Sequence, residues 1–212
     1  VRLPPDAAEL IGQAIAKAEA STSAELVVVG TPASGSYRDV DLLVGASAGM
    51  VFLLFALFSH IVFPPLGVPS GVLLCGVAGF ALSWGSPPLR RLLTTRARRV
   101  RQAREAALVS FLERGVDHTR ARTGVLIHLS FFERTATLVA DRGVQAELSA
   151  EQLEAQRARF EAALRHASGD AVVADLCAAI AGLGATLGAS RLPPDADDPN
   201  ELCDVPLLEC GS

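Results

Sequence analysis

The chain has 212 residues, half of them hydrophobic, with a formal net charge of −4 and a mean hydropathy of +0.35. That charge balance excludes the basic surface by which nucleic-acid binding usually shows itself. The hydropathy is high for a soluble chain and modest for one crossing a bilayer many times, which predicts a small membrane part joined to a sizeable water-facing part. Four cysteines (Cys75, Cys177, Cys203, Cys210) form no CxxC and no disulfide-like spacing, so a reducing compartment is expected. The first apolar run begins only after a well-patterned segment, so no cleavable signal peptide is expected. A start on Val1 reads as an alternative start codon or a missing N-terminus.

In chain order, Pro4-Pro5-Asp6 predicts a helix entry, with Asp6 and Glu9 spaced as a capping box. Leu10, Ile11, Ala14, Ile15 and Ala18 recur at helical period to about Glu19. The run from Glu25 to Val29 is apolar and β-rich, which suits a strand covered on both faces. Thr31 to Ser36 is a loop leading to Leu42. From Leu42 to Leu89 there is no Asp, Glu, Lys or Arg. Two spans divide this run, Leu42–Phe63 and Leu66–Trp84, with His60 near the outer end of the first. The first gives about 33 Å of helix against a hydrocarbon core of about 30 Å. A pair of soluble core helices is the competing reading.

Between Arg90 and Arg104 there are seven arginines and no acid. The turn between the spans carries no charge, so the positive-inside rule places both termini in the cytoplasm. The same arginines are suited to anionic lipid headgroups. Gly45 and Gly49 make a GxxxG on the first span, and Gly71, Cys75 and Gly79 repeat small residues on the second. These notches predict close packing within one hairpin; a homodimer face is the alternative.

Beyond the arginines, Val100, Ala103, Ala107, Leu108, Phe111 and Leu112 predict a long helix ending near Gly115, with one more turn over Val116–Arg120. Val125–Ser130 and Thr135–Ala140 predict an antiparallel hairpin. Ser149 and Gln152 form a second capping box, opening a helix that points Leu153, Phe160 and Leu164 inward. Asp170 is expected to cap a last helix with Val173, Leu176, Ile180, Leu183 and Leu187 in register. Residues 191–212 read as an extended, partly acidic, Pro-rich tail. The strand before the apolar run needs partners after it, and only an even number of crossings returns the chain to them. The expected division is therefore a split α/β domain (1–41 and 90–190) interrupted by a transmembrane hairpin (42–89).

Several stretches resemble the TPM-domain family, in its membrane-inserted bacterial branch. They are AIAKAEASTSAELVVV, SYRDVDLL leading into the spans, TRARTGVLIHLSFFERTATLVADRGV and RLPPDADDPNEL. The resemblance covers nearly the whole chain, and its ordered set is more specific than any piece. It implies an α/β/α sandwich with a small mixed sheet, split by the hairpin. It also implies maintenance of membrane-protein complexes, photosystem repair among them, or a weak acid phosphatase or divalent-metal binder. Cys203 departs from the pattern, which expects proline after Asn-Glu-Leu.

Of the residues with chemistry, Asp141 and Arg142 follow a strand end. There a carboxylate is suited to a divalent cation such as Ca²⁺ or Mg²⁺, and a guanidinium to phosphate. A local ion pair shaping the turn is the structural alternative. Glu25 is a second carboxylate candidate or a strand-end surface charge. Asp195, Asp197, Asp198 and Glu201 lack EF-hand spacing and read as a solvated tail. His118, His128 and His166 lack ligand spacing for zinc; His128 reads as a packed or hydrogen-bonded strand residue. The expectation is an inner-membrane module that binds or maintains a membrane-protein complex. A metal-dependent phosphatase and a structural dimerising subunit are the alternatives.

Overall fold

A computed structural model describes residues 3–166, 168–190 and 206–208. The elements in chain order are α1 (Ala7–Glu19), β1 (Leu26–Thr31), α2 (Arg38–Phe58), α3 (Gly67–Gly85), α4 (Pro87–Leu93) and α5 (Arg96–Glu113). There follow β2 (Val125–Ser130), β3 (Thr135–Ala140), α6 (Arg142–Glu147), α7 (Ala150–Ala163), α8 (Gly169–Gly188) and β4 (Leu207–Leu208). The chain divides into two compact units, one of Val1–Ser34 with Val100–Ser212 and one of Gly35–Arg99. The second is inserted into the first, with boundaries wider than the uncharged run alone.

The first unit is a mixed α/β fold around a four-stranded sheet in the order β3-β2-β1-β4. Strand β1 runs parallel to β2 from Leu26↔Val125 to Thr31↔Ser130, and β2 pairs antiparallel with β3. The triple valine makes β1 a two-faced strand, as its continuous apolar run predicts. Leu26 and Val28 join a core built with Ile11 and Ile15 of α1, Phe160 of α7 and Leu176, Ile180 and Leu183 of α8. Val27 and Val29 face the other way, with Leu126, Phe111 of α5 and Val116. Each such buried side chain contributes about 1.5–3 kcal/mol. Helices on both faces give the α/β/α layering.

Local signals explain most of the element ends. Ser149 and Gln152 make both bonds of the capping box that opens α7. Gly115 takes a left-handed φ of 64° just beyond α5, the conformation that glycine adopts most cheaply at a helix end. Asp6 sits at the α1 N-cap but makes no side-chain cap bond, and Glu9 instead accepts from Gln13 Nε2 at 3.3 Å. Ser168, not Asp170, occupies the α8 N-cap; Asp170 lies in the first turn, where its charge complements the helix dipole. Short α4, α6 and β4 leave too few residues for a periodic signal. Most of the predicted tail, including Asp195, Asp197, Asp198, Glu201 and Cys203, lies outside the described residues.

In the inserted unit, α2 and α3 are joined by residues 59–66. The first predicted span, Leu42–Phe63, is displaced toward the N-terminus, because Asp39 and Asp41 enter the helix with arginine partners. Asp41 is 1% exposed. Its Oδ1 accepts from Ser83 Oγ and from Arg90 Nε, each at 2.7 Å, and Arg90 Nη2 also bonds its Oδ2. Arg98 Nη2 donates to Asp39 Oδ1 at 2.9 Å, and the Arg98 guanidinium lies 5.7 Å over the Tyr37 ring. At the other end, Ser59 is extended and its Oγ accepts from Ile61 N at 3.1 Å. The helix thus ends before Pro64-Pro65, and His60 sits in the connection rather than in a span.

Among the described residues three helices, not the two expected, are long and apolar enough to cross a membrane: α2, α3 and α8. Composition alone does not separate them, but packing does. α8 buries Val172, Val173, Leu176, Ile180, Leu183 and Leu187, whereas Leu43, Val51, Leu57, Leu73, Leu74 and Leu82 of α2 and α3 are exposed.

Because both cores lie in the first unit, replacing Gly35–Arg99 by a flexible Gly/Ser linker is expected to leave a soluble, cooperatively folded α/β domain. Circular dichroism and thermal melting check this. An unfolded or aggregated product would mean that the insertion is needed for the sheet.

Candidate functional site

The sheet brings two predicted carboxylates to one end. Leu26, Val125 and Ala140 are in register, so Glu25, Gly124 and Asp141 follow one residue further out. Val125 N donates to Glu25 O at 2.8 Å and Asp141 N to Gly124 O at 2.9 Å. Glu25 is 8% exposed and Asp141 7%, and the two backbones lie two strand spacings apart, about 9.5 Å. Asp141 Oδ1 accepts from Arg142 N at 2.7 Å, so it caps α6. The Arg142 side chain is exposed and makes no ion pair with Asp141. The nearest cation is Arg122, whose Nη1 stands 3.8 Å from Asp141 Oδ2 on a left-handed backbone of φ 56°. That conformation has no signature in residue type, so the sequence gives no sign that Arg122 stands beside Asp141.

A hard divalent cation takes about six to eight oxygen ligands. Asp141 already commits one oxygen to its helix cap, and Glu25 starts two strands away. Among the described residues no group of three His, Cys, Asp or Glu is arranged to hold a metal ion. The donors present at this end do not fit a divalent cation.

The opposite end of the parallel strands carries a buried polar cluster that sequence reasoning missed. Glu133, in the β2–β3 turn, is 3% exposed. Its Oε2 accepts from Ser130 Oγ at 2.8 Å and its Oε1 from Ser34 N at 3.0 Å. Ser34 Oγ also contacts Ser130 Oγ and lies 3.3 Å from Thr31 Oγ1. His128, two residues before Ser130 on the same face, is fully buried, and neither ring nitrogen has a hydrogen-bond partner. Burial lowers its pKa, opposed by the smaller attraction of Glu133. Ser130 bonds the carboxylate directly rather than an imidazole, so no nucleophile–base relay is assembled. The cluster ties the loop after β1 to the β2–β3 turn. The signal that would have found it is the serine, threonine and glutamate content of two loops that pairing brings together.

The remaining histidines stand apart. His118 Nδ1 lies 3.6 Å from Asp117 Oδ1, and His166 Nε2 lies 2.8 Å from Asp175 Oδ2.

The glycines of the inserted unit do converge. A Cβ on Gly45 would lie 2.7 Å from Gly76 O, one on Gly49 3.1 Å from Val72 O, and one on Gly79 2.8 Å from the Ala48 Cβ. The Gly71 backbone is covered by the Phe52 ring. Gly76 also lies in this contact, where a Cβ on it would stand 3.5 Å from Gly45 O. Cys75 is a half-buried free thiol. Beside this contact lies a groove of about 520 Å³, lined by Leu42, Gly45, Ala46, Gly49, Leu53, Gly76 and Phe80 among others.

Two outcomes follow from this geometry. Gly45→Val is expected to force α2 and α3 apart and lower the thermal midpoint in detergent by several degrees. Gly85→Val, where a Cβ meets nothing within 4 Å, is expected to be neutral. Equal behaviour of the two would rule out glycine-mediated packing. For His128, the folded pKa lies below the unfolded value of about 6.5. Its stability contribution is therefore full above that value and is lost as pH falls through the folded pKa. Melting between pH 7 and 5 should show a decline that His128→Phe flattens, and an unchanged decline would assign the effect elsewhere.

No protein-family model matches the chain, and no match to a curated protein is found. Among solved structures, the fold is similar to the NMR structure of BA42 protein from the psychrophilic bacterium Bizionia argentinensis sp. nov. That likeness has a TM-score of 0.57 and 16% identity over 97% of this chain and 94% of that one. At this identity the likeness is one of fold: the chain shares the mixed α/β architecture of that protein.

Proposed function

We propose that this protein is a membrane-held α/β module of the TPM type that binds and maintains membrane-protein complexes from the cytoplasmic face of an inner membrane. The observation that carries the reading is the insertion of two long helices with exposed apolar side chains into an otherwise closed α/β fold. Phe58 is 82% exposed and Val62 95%, part of a large apolar surface left facing water unless lipid covers it. A bilayer is the solvent that such helices fit.

Two spans, rather than three, account for the strand pairing. β1 pairs with β2 across α2 and α3, and it also pairs with β4 across α8. If α8 crossed the bilayer, β4 would lie on the far side from its partner. The arginines from Arg90 onward then retain both termini in the cytoplasm. With the α/β unit held at the surface, its encounters are confined to the bilayer plane, which suits an assembly or maintenance factor for membrane-embedded partners.

The chain is expected to resist alkaline carbonate extraction, and a cysteine placed at Val62 should be labelled only from the periplasmic side. Gentle detergent purification should return multi-spanning membrane proteins, and exchanging Gly35–Arg99 for an unrelated two-helix hairpin should reduce their recovery several-fold. Release by carbonate, cytoplasmic labelling at position 62 or migration as an isolated chain would overturn the reading.

A further inference from the structure

Between α7 and α8 lies a groove of about 580 Å³ that neither the sheet nor the membrane reading uses. The two helices run antiparallel along it. Arg159 meets Gly182, and Gln156, one turn earlier on α7, bonds Thr186, one turn later on α8. Gln152 and Ser190 line the other end. Gln152 and Arg159 are separated by about 10 Å along the helix axis, at 1.5 Å per residue. The groove is of the size that small-molecule sites have, and amides and hydroxyls furnish much of its wall.

Helix packing explains only some of what lies there. Near the end of α8, a Cβ on Gly184 would stand 2.6 Å from the Ala18 Cβ and one on Gly188 2.6 Å from Ser21 O, so both glycines let α1 and its following turn approach. Nearest to Gly182 are side chains instead: a Cβ there would stand 2.7 Å from Arg159 Nη1. Glycine weakens a helix interior, and at this position it leaves the space in which the guanidinium lies. Gln156 is 5% exposed and fixes where that guanidinium sits. Its Nε2 donates to Thr186 Oγ1 at 2.7 Å, and Thr186 Oγ1 donates to Gly182 O at 2.8 Å. Gln156 Oε1 is thereby turned toward Arg159 Nη1, at 3.5 Å. Among the described residues no acid pairs with Arg159, so most of its five-donor fork is unused. A merely solvated arginine needs neither the glycine beneath it nor the buried amide beside it. Glu147, which ends α6 just before α7 and lines the groove at the Gln152 end, has no cation partner among the described residues. Both charged side chains are exposed.

We infer that this groove is a binding site for a short zwitterionic peptide, about three residues long. Its free carboxylate meets the Arg159 fork, which matches a carboxylate bidentately, and its ammonium group meets Glu147. The length follows from the spacing, since three extended residues span about 10 Å at 3.3–3.6 Å each. The charge follows from the two ends: a guanidinium and a carboxylate leave the groove neutral, which favours a zwitterion over a dianion such as phosphate. The polar side chains between them are suited to peptide N–H and C=O groups. All of these residues belong to the α/β unit, so the inference stands apart from the membrane reading.

The test titrates trialanine into the full chain, purified in detergent, and reads binding by calorimetry. A Kd on the order of 1 mM or tighter is expected. Trialanine amide and N-acetyl-trialanine should each bind roughly tenfold more weakly, the loss of one charge-assisted contact. Arg159→Gln should abolish discrimination between trialanine and its amide, and Glu147→Gln discrimination against the acetylated form. Gly182→Ala should weaken binding several-fold while the melting midpoint holds or rises, because alanine is the better helix former but displaces the guanidinium. Absence of trialanine binding would overturn the inference, as would binding indifferent to both Arg159→Gln and Gly182→Ala. Equal binding of N-acetyl-trialanine would mean capture of a carboxylate alone, as at a protein C-terminus, and would overturn it too. So would displacement of trialanine by equimolar acetate or inorganic phosphate, the mark of a simple anion site.

Discussion

The parallel pairing of Leu26–Thr31 with Val125–Ser130 is the constraint on which the rest of the molecule depends. Six consecutive register positions join segments separated by the whole inserted unit, so the sheet forms only if the chain leaves and comes back. Buried backbone groups require partners, and a valine-rich strand without a ladder would bury donors and acceptors unpaired. An insertion that crosses a membrane is compatible with this requirement only if it crosses an even number of times. β4 imposes the same condition on α8. Strand pairing thereby becomes an argument about topology, and it separates helices that hydropathy leaves equivalent.

The inserted unit solves a different problem. Its base holds a carboxylate, Asp41, almost completely buried beside an uncharged run. Removing charges from water is expensive unless they are paired and fully hydrogen-bonded. Ser83 and Arg90 together supply that pairing from the far end of the hairpin and the middle of α4. The bond therefore closes the two helices at their base, while Gly45, Gly49, Gly76 and Gly79 let their backbones approach above it. Backbone proximity is the main attraction available to helices in a medium as apolar as their own side chains.

The sheet's two polar ends show how pairing gathers groups that sequence scatters. Glu25 and Asp141 were legible as strand-end carboxylates, and the structure places them at one end of the sheet. Their chemistry was not legible, because Asp141 spends one oxygen on the α6 cap and turns the other toward Arg122. The Glu133 cluster was not legible at all. Ser34 and Glu133 are far apart in the chain and meet only because Phe131 and Phe132 donate to Thr31 and Pro32. His128 looked like an ordinary strand residue, yet it is buried with two unpaired nitrogens, a cost the surrounding packing must offset.

The sequence by itself determined the periodic features: the amphipathic α1, α7 and α8, the β2–β3 hairpin, the two-faced β1, and an uncharged run long enough for two spans. These follow from local rules of spacing, charge and capping that need no knowledge of distant residues. Tertiary structure alone decided where α2 starts and stops, which arginine faces Asp141, that Gly76 joins the helix contact, and that Leu207–Leu208 pairs with the edge of β1. Each of those depends on a partner distant in sequence or on a left-handed backbone. Hydropathy and spacing carry no record of either, because both arise only when pairing and packing bring separate segments together.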